Sequence, residues 1–325
     1  MEYLTLAAYR SFSRINTRTC IILFPMMVLI YSALSINLNP KISQEAATTE
    51  NHITALHVKA AVARLKPHKS DGCNDLTSDH LKHAGIDLYG HIALLFNAIL
   101  WHGTLPENFV YSTIVPIPKG QNVNTADSAN FRSIGLGSVY GKLFDNIVLF
   151  QFSDKLQTSQ LQFGFKAKSI TNLCTFVLKE ALSYYAFCTF LDAIEAFDRV
   201  NYCKLFRLLL KRDLPACIVR VFICFYTNNF ARVSWCGLFS EYFLATNGVK
   251  QGGVLSPVLF CVYIGDLLVL LSNANIGCFI GNNYVGALAY ADDLILLAPS
   301  ASALPKKLDI CDAYAAEYCM SFNAE

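Results

Sequence analysis

From Ile53 onward, apolar residues recur at helical spacing through Leu65 (ITALHVKAAVARL), so the chain opens its regular structure with an amphipathic helix. A polar, glycine-containing loop follows over residues 66–75. Leu81–Trp101 then predicts one or two helices that stop near Gly103 and Pro106. Tyr111–Pro118 (YSTIVPIP) is a short β-rich run bounded by prolines, and residues 114–136 form a Pro- and Gly-punctuated stretch between helices. Helical patterning returns over Ser138–Phe152, Lys204–Lys211, Ala216–Asn228 and Ala303–Tyr318. Thr189–Phe197 opens as a strand. Ala231–Cys236 with Tyr242–Ala245 has the pattern of a hairpin, and Gly286–Pro299 reads as two apolar strands around a polar turn. Ser256–Leu271 is a helix with Ser256 at its N-cap and Pro257 at its first turn. It is apolar enough to resemble a membrane span, but Gly265 and Asp266 argue for a buried core helix. Strands and helices are mixed without strict alternation, so the fold class is α+β.

Composition narrows the picture. The chain has 325 residues, of which 54% are hydrophobic and 15% charged, so it can bury a substantial core as one large domain or two smaller ones and is not disordered in bulk. Its formal net charge of +2 shows no overall basic excess, so any nucleic-acid groove must be local. No two of the twelve cysteines form a C-x-x-C pair, which excludes a zinc ribbon and reads as reduced thiols in an intracellular protein of the nucleus or cytoplasm. His80 and His83 form an H-x-x-H pair without the Glu or spacing of a metalloprotease helix, and read as a solvated helix face. Near the N-terminus, Cys20–Leu34 is mostly apolar and follows Arg10, Arg14 and Arg18. This resembles a signal-peptide core or short anchor, though it is short for a span and Pro25 interrupts it. Residues 1–52 are accordingly read as a leader and linker, an unrelated fused segment or a gene-model artefact, and 53–325 as the folded domain.

Four segments carry candidate chemistry. Asp292 and Asp293 sit between the apolar runs VGALAY and LILLAP, where a hairpin tip would hold two carboxylates at a strand end; alone, the pair is an ordinary polar turn. Asp192 ends the apolar run CTFL, and a carboxylate there needs pairing, solvent or a cation. Magnesium takes one or two carboxylates plus substrate phosphates, and two such ions support in-line displacement at phosphorus. Asp192 with Asp292 and Asp293 fits that chemistry if their strands are neighbours. The loop Asn247–Pro257 (NGVKQGGVLSP) has glycines that let backbone approach a ligand closely, although a plain strand-to-helix turn has the same look. Lys119 and Arg132 could clamp a triphosphate, or simply be surface cations.

Taken together and in this order, the segments resemble the reverse transcriptases of non-LTR (LINE-type) retrotransposons. FRSIGLGSVYGKLFDNIV resembles that family's fingers motif, and QFGFKAKSITNL its following Gly-Phe-Arg segment. FLDAIEAFDRV, GVKQGGVLSPVLFCVYIGDL and YADDLILLA resemble its three catalytic motifs, and LKPHKSDGCNDLTSDHLKHAG its N-terminal region. The resemblance implies the fingers and palm of a right-hand polymerase, with the chain stopping before the thumb. It implies RNA-directed DNA synthesis from dNTPs on an RNA template and DNA primer, with two Mg²⁺ ions (Mn²⁺ as an alternate). Asp192, Asp292 and Asp293 would be catalytic and hold metal, joined by the Ala193 carbonyl. Phe197 would be the steric gate against ribose. Gln251 and Gly252 would contact nucleotide and template, Arg132 and Lys119 the triphosphate, and Tyr290 the primer end. Asp198 would be structural. Ser133, Gly135, Lys166 and Ile194-Glu195 depart from the family's usual residues. The competing expectation is an inactive element remnant that retains nucleic-acid binding.

Overall fold

The computed structural model describes residues 51–70, 76–121, 123–166, 171–184 and 187–324. The expected leader with its apolar segment 20–35, part of the polar loop (71–75) and part of the QFGFKAKSITNL segment (167–170) lie outside the described residues.

Along the chain the elements are α1 (Ala55–Arg64), α2 (Ser78–Lys82), α3 (Ile86–His102), α4 (Glu107–Val110), β1 (Tyr111–Pro118), β2 (Phe131–Gly137), α5 (Val139–Gln151) and α6 (Thr171–Ser183). They continue with β3 (Phe187–Ala193), α7 (Tyr202–Lys211), α8 (Ala216–Thr227), β4 (Phe230–Trp235), β5 (Leu238–Phe239), β6 (Phe243–Leu244) and α9 (Ser256–Asn273). The last are β7 (Phe279–Ile280), β8 (Asn283–Tyr284), β9 (Ala287–Tyr290), β10 (Asp293–Ala298), α10 (Ala303–Tyr318) and β11 (Phe322–Ala324). This is the mixed α+β class expected from the pattern. The chain divides into two units. The first runs to Phe152 and includes Asp213–Thr246 and Lys250–Leu255; the second is Ser153–Arg212, Asn247–Val249 and Ser256–Glu325.

In the first unit, β1 pairs antiparallel with β2 and parallel with β4, giving the order β2-β1-β4-β5, with β6 also on β4. The stretch read as irregular between helices therefore contains strand β2. Its composition (FRSIGLG) has no period-2 signal, and pairing from Pro118↔Phe131 to Ser112↔Gly137 fixes it instead. The expected pairing of Ala231–Cys236 with Tyr242–Ala245 is present, with β4 antiparallel to β6 at Phe230↔Leu244 and Ala231↔Phe243, and the short strand β5 between them also pairs with β4. The core is aromatic, with Phe96 edge-on to both Phe109 and Phe144, and Phe144 edge-on to Phe222. His80 spends its Nδ1 on the backbone N–H of Thr77 at the start of α2, so this histidine acts as a helix cap.

In the second unit, four antiparallel strands lie in the order β11-β3-β10-β9. One sheet face packs Leu288, Ile295 and Leu297 against Cys174 and Ala181 of α6. Leu191, Leu294, Leu296, Ala287 and Ala289, on the other face, are buried as well. Burial of both faces explains why β9 and β10 are continuous apolar runs. Helix α9 is long and apolar enough to cross a membrane, but most of it is core: residues 259–264, Leu267 and Leu268 are almost wholly buried, including Tyr263. The helix includes Ser256, the expected cap, and so begins one residue earlier than expected. None of the ten described cysteines forms a disulfide.

Candidate active site

Strand register places the carboxylates. Asp293 is the first residue of β10 and stands directly opposite Asp192 near the end of β3. Tyr290 is opposite Asp293 on the other side, and Asn323 of β11 is opposite Asp192. Directly paired residues of antiparallel strands share a face, so Asn323, Asp192, Asp293 and Tyr290 form one row across the sheet. Cross-strand Cβ atoms in such a row lie about 4.5–5.5 Å apart, and two like charges so placed repel each other. Asp192 and Asp293 are exposed, and Asp292 is half-buried. The sheet thus brings two carboxylates side by side at its end, with a third beside them on the β9–β10 turn. Among the described residues, no three His, Cys, Asp or Glu side chains converge tightly enough to cage a metal by themselves.

The turn joining β9 to β10 consists of Ala291 and Asp292, and Ala291 has φ of 59°. A positive φ at the first central position with an ordinary φ at the second is the hairpin geometry that glycine normally supplies. Alanine holds it here. Tyr290 is anchored by its hydroxyl, which hydrogen-bonds the Thr171 hydroxyl at 2.8 Å at the start of α6.

Phe197 lies just beyond β3, stacked on Phe260 of α9 (5.2 Å between centroids, 16° between planes), with Phe165 edge-on at 5.8 Å. The loop after β3 is laced to residues 247–249. The N–H groups of Gly248 and Val249 donate to the carbonyls of Val200 (3.0 Å) and Phe197 (2.8 Å). A Cβ on Gly248, at φ of 87°, would meet the Asp198 backbone at 2.8 Å, so only glycine permits this crossing. Asp198 sits in that turn, its N–H donating to the Glu195 carbonyl. Ala193 is buried at the end of β3. Lys166 donates to the Ser159 carbonyl at 2.5 Å, and burial lowers its pKa.

The other expected site residues belong to the first unit. Arg132 pairs with Ile117 across β1 and β2, and the Lys119 N–H donates to the Asn130 carbonyl, which extends that ladder. Lys119 and Arg132 are therefore diagonal neighbours on one face of the hairpin, and both are exposed. The Gln251 carbonyl accepts from the Gly135 N–H at 2.7 Å, so the Lys250–Gly253 turn rests on β2. A Cβ at Gly135 would lie 3.5 Å from that carbonyl, an ordinary contact, so its departure from the family residue needs no rearrangement. Gly252, at φ of 93°, is exposed.

Sequence reasoning missed three supporting residues. Asp145 of α5 accepts the Leu255 N–H at 3.4 Å. Burial pushes its carboxyl up to about 6, against the lowering influence of the Leu255 N–H and Lys250. Lys307 of α10 is wholly buried, and its amine donates to the carbonyls of Gly286 (2.5 Å) and Leu297 (3.1 Å) and to the Tyr284 hydroxyl (2.9 Å). Gln162 hydrogen-bonds the Ala291 backbone at both N–H and carbonyl. Asp145 and Gln162 lie inside motif-like segments (GKLFDN, QFGF), which was the available signal; a lone lysine in a helix carried none.

Residues 117–325 match the family described as reverse transcriptase (RNA-dependent DNA polymerase). The chain is 31% identical over 229 residues to a retrovirus-related Pol polyprotein from type-1 retrotransposable element R2 of Nasonia vitripennis, covering 68% of this chain and 22% of that protein. It is 28% identical over 298 residues to an RNA-directed DNA polymerase from mobile element jockey of Drosophila funebris, covering 86% of this chain and 32% of that one. A type-2 element R2DM polyprotein of Drosophila melanogaster is 29% identical over 226 residues, covering 68% of this chain and 21% of its own length. The chain therefore spans between about a fifth and a third of the length of these relatives.

Proposed function

We propose, for a chain that belongs to the reverse transcriptase (RNA-dependent DNA polymerase) family, that it is the catalytic core of an RNA-directed DNA polymerase of the non-LTR retrotransposon kind. The first unit is read as fingers-type and the second as palm-type. The observation that carries the reading is the cross-strand pair Asp192↔Asp293 with Asp292 on the adjoining turn. Two strands far apart in sequence bring carboxylates into register at an exposed sheet end, a set of hard oxygen donors that suits a shared divalent cation.

The donor set fits a hard divalent ion. Asp192, Asp292 and Asp293 offer carboxylate oxygens, with the Ala193 carbonyl at the same strand end, and magnesium ordinarily completes its shell with water and substrate phosphates rather than an all-protein cage. Bound there, a pair of ions would activate the attacking primer hydroxyl and neutralise charge on the leaving pyrophosphate. The chain's own residues have separate tasks in this reading. The rigid sheet end holds the carboxylates in register. Phe197, fixed between Phe260 and Phe165, presents an aromatic edge that selects deoxyribose. Tyr290 supports the primer end. Arg132 and Lys119 take the triphosphate through charge-assisted hydrogen bonds, and Gln251 and Gly252 take the nucleotide and template base. The partners would be an RNA template, a DNA primer and dNTPs. The test is primer extension on an RNA template, with Asp192→Asn and Asp292→Asn as controls. Extension by the unaltered chain that either substitution abolishes supports the reading. Folded protein without extension favours a silent, nucleic-acid-binding remnant.

A further inference from the structure

The segment Leu161–Gly164 runs parallel to the edge strand β9. The Phe163 N–H donates to the Ala289 carbonyl at 2.7 Å, and the Ala289 N–H donates to the Leu161 carbonyl at 2.8 Å. This seats Gln162 beside the β9–β10 turn, with 1% of its surface exposed. Its side-chain oxygen accepts the N–H of Ala291 at 3.0 Å and that of Gly164 at 2.8 Å, and its amide nitrogen donates to the Ala291 carbonyl at 3.0 Å. Two N–H donors converging on one atom fix which end of the amide is oxygen. Both backbone groups of Ala291 are thus held by one buried side chain. Ala291 is also the residue at positive φ, a conformation that crowds the Cβ of any L-residue. The approach is close enough that a Cβ on Gly164 would lie 2.1 Å from the Ala291 nitrogen.

We propose that Gln162 is a positioning residue: its amide clamps Ala291 in the left-handed conformation and so sets the placement of Tyr290, Asp292 and Asp293 on either side. No local feature of Tyr290–Asp293 explains that conformation, because alanine does not prefer it. The bidentate amide supplies the missing cause. The catalytic consequence rests on the polymerase reading above, whereas the clamp itself does not.

Gln162→Met keeps the side chain's shape and removes both kinds of hydrogen bond. Amide hydrogen exchange in ¹⁵N-alanine-labelled protein then reports on Ala291 directly. The expected result is exchange at Ala291 about tenfold faster or more, with Ala289 and Ala298 changed by less than about twofold, a local opening rather than a global one. Ala291→Gly accepts positive φ without cost, so it should offset much of the loss of thermal stability in the Gln162→Met background, a non-additive cycle that simple packing would not give. In primer extension, Gln162→Met should lower kcat by about tenfold while the KM for dNTP stays within about threefold, and Ala291→Gly should restore much of the loss. If Gln162→Met does not fold, Gln162→Asn, too short to reach both groups, takes its place with the same expectations. Unchanged exchange at Ala291, or strictly additive effects of the two substitutions, would overturn the proposal. If the unaltered chain shows no extension, the polymerase reading fails, and exchange and stability still decide whether the clamp exists.

Discussion

Lys307 offers a quantitative test of the packing of the second unit. Its amine is buried without an anionic partner among its hydrogen bonds, and it joins the root of the β9–β10 hairpin to α10 through Gly286, Leu297 and Tyr284. Burial pulls its pKa down from 10.5 to about 8, partly opposed by the thiols of Cys278 and Cys311. The folded pKa lies below the unfolded one, so the unfolded chain binds more protons between about pH 8 and 10.5 and stability rises with pH across that window. At neutral pH the charged amine costs about 3 kcal/mol relative to its neutral form, which follows from the drop from 10.5 to about 8. Between pH 7 and pH 9.5, linkage returns about 2 kcal/mol of this. Lys307→Met has nothing to titrate. Urea unfolding at a series of pH values should therefore show the unaltered chain gaining about 2 kcal/mol on Lys307→Met from pH 7 to pH 9.5. The comparison cancels every other titrating group and the constant cost of the lost hydrogen bonds. Parallel pH–stability curves for the two proteins would refute the reasoning, because Lys307 would then titrate as in the unfolded chain.

Three further outcomes follow from the geometry. Asp145 has the opposite sign: its folded pKa of about 6 exceeds the usual 3.8, so the stability from proton uptake is complete below pH 3.8 and lost as pH rises past 6. The unaltered chain should accordingly gain about 1 kcal/mol on Asp145→Asn between pH 7 and pH 5, measured by the same unfolding series. Gly164→Ala would force a methyl group onto the Ala291 backbone, and calorimetry should show a loss of about 2–3 kcal/mol or more. Phe197→Val should raise incorporation of ribonucleotides relative to deoxyribonucleotides, read by competing rNTP against dNTP in primer extension; an unchanged ratio would remove Phe197 from the gate.

Local patterning was enough wherever an element is defined by its own residues. Tyr111–Pro118 and Ala303–Tyr318 have the bounds their patterns predict, because prolines flank the first and helical spacing runs the length of the second. Strand β2 was not legible, since FRSIGLG has no alternation and becomes a strand only by pairing with β1. The motif order pointed to Asp192, Asp292 and Asp293. That Asp192 faces Asp293 depends on a strand pairing across about a hundred residues, which no periodicity encodes. The supports were hidden for the same reason. Gln162 and Lys307 act on backbone groups distant in sequence, so their chemistry exists only once the sheet has formed.

The central claim is that the sheet end bearing Asp192, Asp292 and Asp293 is a metal-dependent polymerase site. Primer extension with dTTP on a poly(rA)/oligo(dT) template, with magnesium and beside Asp292→Asn, tests it most directly. The account predicts extension by the unaltered chain, loss of at least about a hundredfold in Asp292→Asn, and an unchanged melting temperature in that variant. Equal extension by both proteins would contradict it.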